Sequence, residues 1–154
     1  MKLYAFLSMK FQFISLMKSS RCGISSILEL TFISLEPIVT NYRKYFGRNA
    51  EIVIDIGTRD GDDASYLSKK LNSSNVIAID ANPIATSTTR AAYPWMNVYE
   101  CAVSDYDGEA AFQQVNSGDA NMDGCSSLSA KKVFEPQFEG KVTYIPTTVK
   151  RMDT

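Results

Sequence analysis

Short apolar runs alternate with amphipathic stretches along the chain from residue 51 onward. Runs that are apolar nearly throughout are typical of strands buried in a parallel sheet, and apolar residues at helical spacing are typical of helices that cover it. The pattern predicts strands over Glu51–Ile56, Asn75–Ile79 and Asn97–Val103, separated by helices over Asp63–Leu71 and from Pro83 to about Ala92. Strands that alternate with helices favour an α/β fold with a doubly wound, Rossmann-like parallel sheet.

Turn and loop signals organise the rest of the domain. The pair Asn82-Pro83 is typical of a helix N-cap followed by a first-turn proline. Asp107-Gly108 is a strong turn signal, so we expect Glu109–Val115 to pair back on the preceding strand as a hairpin. Residues 116–129 lack periodicity and are expected to form a loop, and Lys141–Thr147 returns to a strand pattern. Because a sheet with so few strands is under-built, we expect the chain to be the N-terminal portion of a longer domain.

We expect residues 1–50 to form an N-terminal helical segment, followed by the domain proper over residues 51–154. Met1–Leu28 carries Lys and Arg but no acid, interleaved with aromatic and aliphatic residues. The lysines interrupt the apolar run that a signal peptide needs, and there is no stretch of about twenty apolar residues for a transmembrane helix. We expect the segment to cover an edge or face of the domain and to stop at Gly47. A basic amphipathic helix on a membrane surface is the alternative.

The composition describes an ordinary soluble protein. The chain has 154 residues, enough for one domain with a real core. A hydrophobic content of 45% and a net charge of −1 argue against a nucleic-acid binder or a disordered tail. The cysteines at 22, 101 and 125 lack C-x-x-C spacing, which predicts reduced thiols in a cytoplasmic protein instead of disulfides or zinc ligands. The sequence has no histidine, so the usual general base and the commonest metal ligand are absent.

The segment Ile52–Gly61 has the layout of a nucleotide-binding turn. An apolar strand bears Asp55 and turns through Gly57 and Gly61 into a helix, and the next apolar strand ends in Asp80. Glycines permit the tight turn, and the second acid is placed to bind ribose hydroxyls. An acid on a buried strand is costly unless it has a partner, which favours a ligand for Asp55 and Asp80.

Two features favour S-adenosyl-L-methionine over a dinucleotide. A dinucleotide fingerprint counted from Gly57 needs glycine where Arg59 and Asp62 stand. A pyrophosphate also needs backbone N–H donors without nearby carboxylates, whereas this turn carries the acids Asp55, Asp60, Asp62 and Asp63. The sulfonium is positive and brings no phosphate, so an acidic turn suits it. The alternative is that Asp62 and Asp63 only cap a helix and that the glycines only make a tight turn.

The chain from Val53 onward resembles the FkbM-like family of S-adenosylmethionine-dependent methyltransferases. The matching segments are VIDIGTRDG at 53–61, VIAIDANP at 76–83, VYECAVSDYDGEAAF at 98–112, GCSSL at 124–128 and TTVKRMDT at 147–154. The resemblance implies a Rossmann-type methyltransferase, in most characterised members an O-methyltransferase of sugars or other small metabolites. The family's acidic Lys-x-Asp-x-Glu-Gly segment, which follows the last match, is not in this sequence.

The resemblance also implies a set of cofactor-binding residues. Asp55, Gly57 and Gly61 would line the methionine end, and Thr58 is a further cofactor-binding residue of the same turn. Asp80 would hold the ribose hydroxyls, Ala81 and Asn82 would flank the adenine, and Ala102 and Val103 would cover its other side. The family more often has small or neutral residues at 58–60, and we expect Arg59 to pair with a neighbouring carboxylate.

Methyl transfer is an in-line displacement that depends mainly on alignment, and it needs a base only when the nucleophile arrives protonated. The sequence assigns no catalytic residue; the acids that could supply a base from a loop or chain end are Asp119, Asp123 and Asp153. Side chains that could contact cofactor or substrate, or could equally be turn or core residues, are Ser126, Ser127, Tyr93 and Trp95. The hypotheses are a methyltransferase acting on a small-molecule acceptor, a non-catalytic cofactor-binding or interaction module, and another nucleotide-binding enzyme.

Overall fold

The fold is taken from a computed structural model that describes residues 4–7, 35–47, 49–116, 126–128 and 141–153. Within these ranges the chain is an α/β protein with two open sheets. The strands are β1 Tyr4–Leu7, β2 Ile52–Ile56, β3 Val76–Asp80, β4 Asn97–Glu100, β5 Ala102–Val103, β6 Gly108–Val115 and β7 Val142–Lys150. The helices are α1 Glu36–Phe46, α2 Asp62–Leu71 and α3 Pro83–Ala92.

The first sheet is parallel throughout and has the strand order β1-β2-β3-β4. Val53 lies opposite Val76, and Asp80 lies opposite Glu100. The order follows the chain from β1 to β4, so the described strands form an open parallel sheet that is compatible with a Rossmann-like fold. The doubly wound arrangement stays a prediction. The expectation of parallel strands joined by helices is confirmed.

The second sheet corrects two predictions. It has the order β5-β7-β6, with β5 parallel and β6 antiparallel to β7. The predicted strand Asn97–Val103 is interrupted at Cys101, and its last two residues belong to this second sheet. The predicted hairpin between that strand and Glu109–Val115 is wrong, because Gly108–Val115 pairs along its whole length with Val142–Lys150. The turn signal at Asp107-Gly108 shows that the chain turns, and the choice of partner depends on residues far along the sequence.

The N-terminal region differs in part from the helical segment that we expected. Tyr4–Leu7 is a strand, paired in parallel with β2 at the edge of the first sheet. An apolar run this short fits a strand as well as a helix, and the adjacent edge decides between them. Residues 8–34 lie outside the described residues. The expected stop is confirmed, since α1 ends at Gly47, which has a φ of 59° and donates its N–H to the Arg43 carbonyl.

Helices α1 and α2 enclose the main apolar core together with the first sheet. The core joins the fully buried side chains of α2 to one face of the sheet, and α1 packs against α2 and contributes buried side chains of its own. Its buried members are Val39, Tyr42, Ala50, Val53, Ala64, Leu67, Leu71, Val76, Ala78 and Met96. A smaller cluster, Ala81, Ala102, Phe112 and Val149, joins the end of β3 to the second sheet. No helix among the described residues is long and apolar enough to cross a membrane.

Candidate functional site

The candidate site lies at the carboxyl edge of the first sheet. The predicted turn at 57–61 follows β2, and backbone bonds join it to the end of β3: the N–H of Gly57 donates to the Ile79 carbonyl at 2.8 Å. The N–H of Cys101, which follows β4, donates to the Asp80 carbonyl at 3.0 Å. Ligands of open α/β sheets bind at this edge. The structure thus brings together the turn and the acid that the sequence analysis singled out.

The Asp80 carboxylate connects the two loops of the site. Its Oδ2 accepts from the backbone N–H of Arg59 at 3.0 Å, and its Oδ1 accepts from the N–H of Asn82 at 2.9 Å. Both bonds join an ionised acceptor to a backbone donor, which is the stronger class of hydrogen bond. Asp80 therefore holds the turn after β2 against the loop after β3, in addition to any role toward a ligand.

The backbone donors of the turn are all used within the protein. The N–H groups of Gly57 and Thr58 donate to the Ile79 carbonyl, and that of Arg59 donates to Asp80. The N–H groups of Asp60 and Gly61 donate to the Thr58 carbonyl, and that of Asp62 donates to Oδ1 of Asp60. A phosphate cradle needs such groups to point at the ligand. This turn is consequently unsuited to a pyrophosphate.

Positive φ angles at alternate positions shape the turn. They are 78° at Gly57, 58° at Arg59 and 82° at Gly61. A Cβ on Gly61 would stand 2.8 Å from side-chain atoms of both Thr89 and Tyr93, whereas one on Gly57 would meet nothing within 4 Å. Gly61 is therefore required for the close approach of α3, and Gly57 leaves open space beside the turn.

The charges of the turn are arranged around its single arginine. Arg59 pairs with Asp60, as expected, with its Nη2 2.6 Å from Oδ2. The Tyr93 hydroxyl donates to Oδ1 of Asp62 at 2.6 Å, and this bond raises the pKa of Tyr93 above its ordinary value. With one of its acids neutralised by Arg59, the turn keeps an excess of negative charge.

Five of the predicted cofactor residues, Gly61 among them, are buried in this structure. Asp55 is 2% exposed, and Thr58 is fully buried with a hydroxyl that has no hydrogen-bond partner among the described residues. Ala81 and Ala102 are packed in the smaller apolar cluster. Val103 is partly buried and lies opposite Lys150 in the second sheet. Gly57, Asp80 and Asn82 are thus partly exposed at the carboxyl edge of the sheet, and the buried residues of the predicted set lie beneath that surface.

Asn82 is the N-cap of α3, as predicted. Its Oδ1 accepts from the N–H of Ile84 at 2.9 Å, and Nε2 of Gln114 lies 3.3 Å from the same oxygen. Gln114 is 6% exposed and reaches the site from β6. Sequence analysis missed this residue because it lies far from the motif along the chain. The pair Gln113-Gln114, which breaks the polar–apolar alternation of its strand, is the signal that could have found it.

Glu100 is a second acidic side chain at this edge. It lies opposite Asp80 on the neighbouring strand. Its Oε2 accepts from the Thr86 hydroxyl at 2.8 Å and lies 3.5 Å from Nη1 of Arg90. Both partners of Glu100 in these contacts are side chains of α3.

Of the residues considered as catalytic bases, or as contacts to cofactor or substrate, those that the structure describes do not all lie together. Asp119, Asp123 and Cys125 lie outside the described residues. Asp153 forms an ion pair with Arg151 at 2.5 Å, and this pairing lowers the pKa of its carboxyl, which makes it a weaker base. Ser126 and Ser127 are held by β6, where the Ser126 hydroxyl accepts from the N–H of Val115 and Ser127 bridges Gln113.

Tyr93 and Trp95 form an edge-to-face pair with ring centroids 6.2 Å apart, beside the turn. Trp95 is half exposed, while Tyr93 packs against Gly61. Burial raises the pKa of the Cys101 thiol, which disfavours a thiolate nucleophile.

Two concave surfaces lie away from this edge. One, of about 250 Å³, is lined by Arg43, Gly47, Asn49 and Leu71 at the amino ends of the strands. The other lies on the β6–β7 pair, along Glu109–Ala111 and Tyr144–Pro146. The carboxyl edge is the better candidate because it carries the convergent polar groups that a binding site needs. Among the described residues no group of His, Cys, Asp and Glu is arranged to hold a metal ion.

Comparison of the chain with protein-family models, with curated proteins and with solved structures gives no match. The fold class rests on the strands and helices described above. The methyltransferase resemblance rests on the sequence motifs alone.

Proposed function

We propose that this chain binds S-adenosyl-L-methionine and serves in methyl transfer to a small-molecule acceptor. The observation that carries the proposal is the turn at 57–62, whose backbone donors are all used within the protein beside a carboxylate at the end of the next strand. A nucleoside ligand fits this arrangement through its ribose, while a phosphate finds neither donors nor positive charge.

Charge supports the choice among nucleoside ligands. Asp60, Asp62 and Asp63 surround the turn, and Arg59 is engaged by Asp60. A cationic sulfonium is favoured by such surroundings, and a pyrophosphate is repelled. The acids are partly exposed, so salt screens their effect and the preference is moderate in size.

The described residues fit the cofactor in part. A carboxylate offers about four acceptor sites, so Asp80 can accept ribose hydroxyls while it holds the N–H groups of Arg59 and Asn82. Asn82 is placed two residues further on, where a base attached to that ribose would lie. The open space beside Gly57 leaves room for the methionine portion. Asp55 and Thr58 would support the turn from behind, since both are buried.

When bound, the cofactor supplies an electrophilic methyl group for an oxygen, nitrogen or carbon of the acceptor. The residues of this chain would orient the ribose through Asp80 and fix the turn so that the sulfonium side is held in one geometry. Alignment of this kind is the main source of acceleration in such displacements. Among the described residues we assign no base, because Asp153 is tied to Arg151 and Glu100 is tied to α3.

A non-catalytic cofactor-binding or interaction module is the second candidate. The burial of Asp55 and Thr58 favours it, because both residues belong to the motif yet neither opens onto the surface of the site. Such a module would bind the cofactor without turnover, or would use the edge only for its structure.

Calorimetric titration with S-adenosylhomocysteine, with NAD as the matched control ligand, tests the proposal. We expect heat of binding with S-adenosylhomocysteine and none with NAD, and we expect Asp80→Ala to remove the binding. Binding of NAD alone, or of neither ligand by a chain shown to be folded by circular dichroism, would overturn it. Methyl transfer from radiolabelled cofactor to a panel of hydroxylated metabolites then separates the enzyme from the non-catalytic module.

A further inference from the structure

The orientation of the Asn82 carboxamide is fixed by two donors on one oxygen. The N–H of Ile84 donates to Oδ1 at 2.9 Å as the helix cap, and Nε2 of Gln114 lies 3.3 Å from that same atom. An amide whose oxygen is held in this way must present its NH₂ group to the other side. Asn82 is partly exposed, and its Nδ2 donates to no described residue.

We propose that Asn82 recognises the adenine base through Nδ2 and that Gln114 is the positioning residue that fixes its amide. This inference rests on the proposed function, because the base is that of the proposed cofactor. A ribose held by Asp80 places its base beside the loop that follows β3. The edge of the purine farthest from the ribose carries N1, which is a hydrogen-bond acceptor in adenine. The Nδ2 group of Asn82 supplies the matching donor.

Burial supports the positioning role of Gln114. A glutamine that is 6% exposed is costly to bury unless its amide has a partner. The partner that the structure gives it is the cap oxygen of Asn82, which already has a donor from its own helix. The second donor adds little to capping, but it prevents the carboxamide from rotating and so keeps the NH₂ group outward.

Hypoxanthine gives a sharp test, since its N1 bears a hydrogen and is a donor. We expect the wild-type chain to bind S-adenosylhomocysteine more tightly than S-inosylhomocysteine by about tenfold or more, the usual range for one well-placed base contact. Asn82→Asp keeps an oxygen for the helix cap but replaces the outward donor with an acceptor. We therefore expect its preference to invert in favour of the inosyl ligand.

Gln114→Met tests the positioning role. Methionine has a similar length and no donor, so the Asn82 amide becomes free to rotate and the ratio of the two affinities should approach one. Gln113→Met is the matched control, because Gln113 is also buried but points to the opposite face of the strand. It should leave the ratio unchanged. If Gln114 had a purely structural role, Gln114→Met would lower the affinity for both ligands equally.

Calorimetric titration of the four chains with both ligands decides between these outcomes. An unchanged ratio in Asn82→Asp, with S-adenosylhomocysteine still bound, overturns the inference and leaves the proposed function standing. An unchanged ratio in Gln114→Met overturns the positioning role of Gln114. Binding of neither ligand by the wild-type chain overturns the proposed function and this inference together. If Gln114→Met fails to fold, Asn82→Asp still provides the test of base recognition.

Discussion

Gly61 and the ring of Tyr93 are in such close contact that a Cβ on the glycine would stand 2.8 Å from Cδ2 of the ring. The glycine also has a φ of 82°, which L side chains rarely adopt. We expect Gly61→Ala to lower the free energy of unfolding by about 2 to 4 kcal/mol, from backbone strain and overpacking together. Urea denaturation followed by circular dichroism measures the change.

Gly57→Ala is the control for that experiment. Its φ is also positive, but a Cβ there meets nothing within 4 Å. We expect a loss of only about 1 to 2 kcal/mol, from the backbone alone. Equal losses in the two variants would contradict the importance of the Gly61–Tyr93 contact.

Substitution of Asp80 should lower the stability of the protein even when no ligand is present. Asp80→Asn replaces one acceptor oxygen with an NH₂ group that faces a backbone donor, so one of the N–H groups of Arg59 and Asn82 loses its partner. We expect the free energy of unfolding to fall by about 1 to 3 kcal/mol without any cofactor present. Asp105→Asn, on the exposed turn before β6, should be within about 0.5 kcal/mol of the wild type. If both variants match the wild type, the carboxylate does not hold the two loops together.

Helices α1 and α2 are joined by an acid-sensitive contact. Glu36 accepts from the Tyr66 hydroxyl and lies 2.9 Å from Nζ of Lys70. These contacts lower the pKa of Glu36 below its ordinary 4.5 in the folded protein. Because the folded pKa is the lower one, the stabilisation is present above pH 4.5 and is lost as the pH falls through the folded pKa.

We therefore expect the melting temperature of the wild type to fall more steeply than that of Glu36→Gln as the solution is acidified below pH 4.5. The effect should shrink in high salt, because the groups are exposed. Differential scanning fluorimetry across acidic buffers measures both slopes. Parallel slopes would show that Glu36 contributes nothing to the pH dependence.

A substitution at Leu67 tests the packing of the main core. Its side chain is 1% exposed between α2 and the first sheet. We expect Leu67→Ala to lower the free energy of unfolding by about 2 to 5 kcal/mol through lost burial and a residual cavity. Lys69→Ala, on the exposed side of the same helix, should change it by less than about 0.5 kcal/mol. A small effect at Leu67 would mean that this helix does not pack as described.

The sequence predicted the features that depend on neighbours along the chain. The Asn82 cap, the helix stop at Gly47 and the pairing of Arg59 with Asp60 are each decided within a few residues. Strands β2 and β3 and the helices after them were found for the same reason, since their apolar period is local.

The features that sequence missed depend on distant partners. The partner of β6 is β7, far along the chain, and periodicity says nothing about which strand pairs with which. The break at Cys101 follows from the start of a second sheet, and Gln114 reaches Asn82 only because that sheet packs against the end of β3.

The pairing of β5 with β7 also imposes an order on folding during synthesis. Strands β2, β3 and β4 can pair once the chain has emerged from the ribosome through Glu100. The strand that covers the smaller cluster, β7, emerges much later, so Ala81 and Ala102 must wait for Val149 before they are buried. A nascent chain that leaves the ribosome before β7 has been made would expose this smaller apolar cluster. We expect chaperones that bind apolar segments to bind it there.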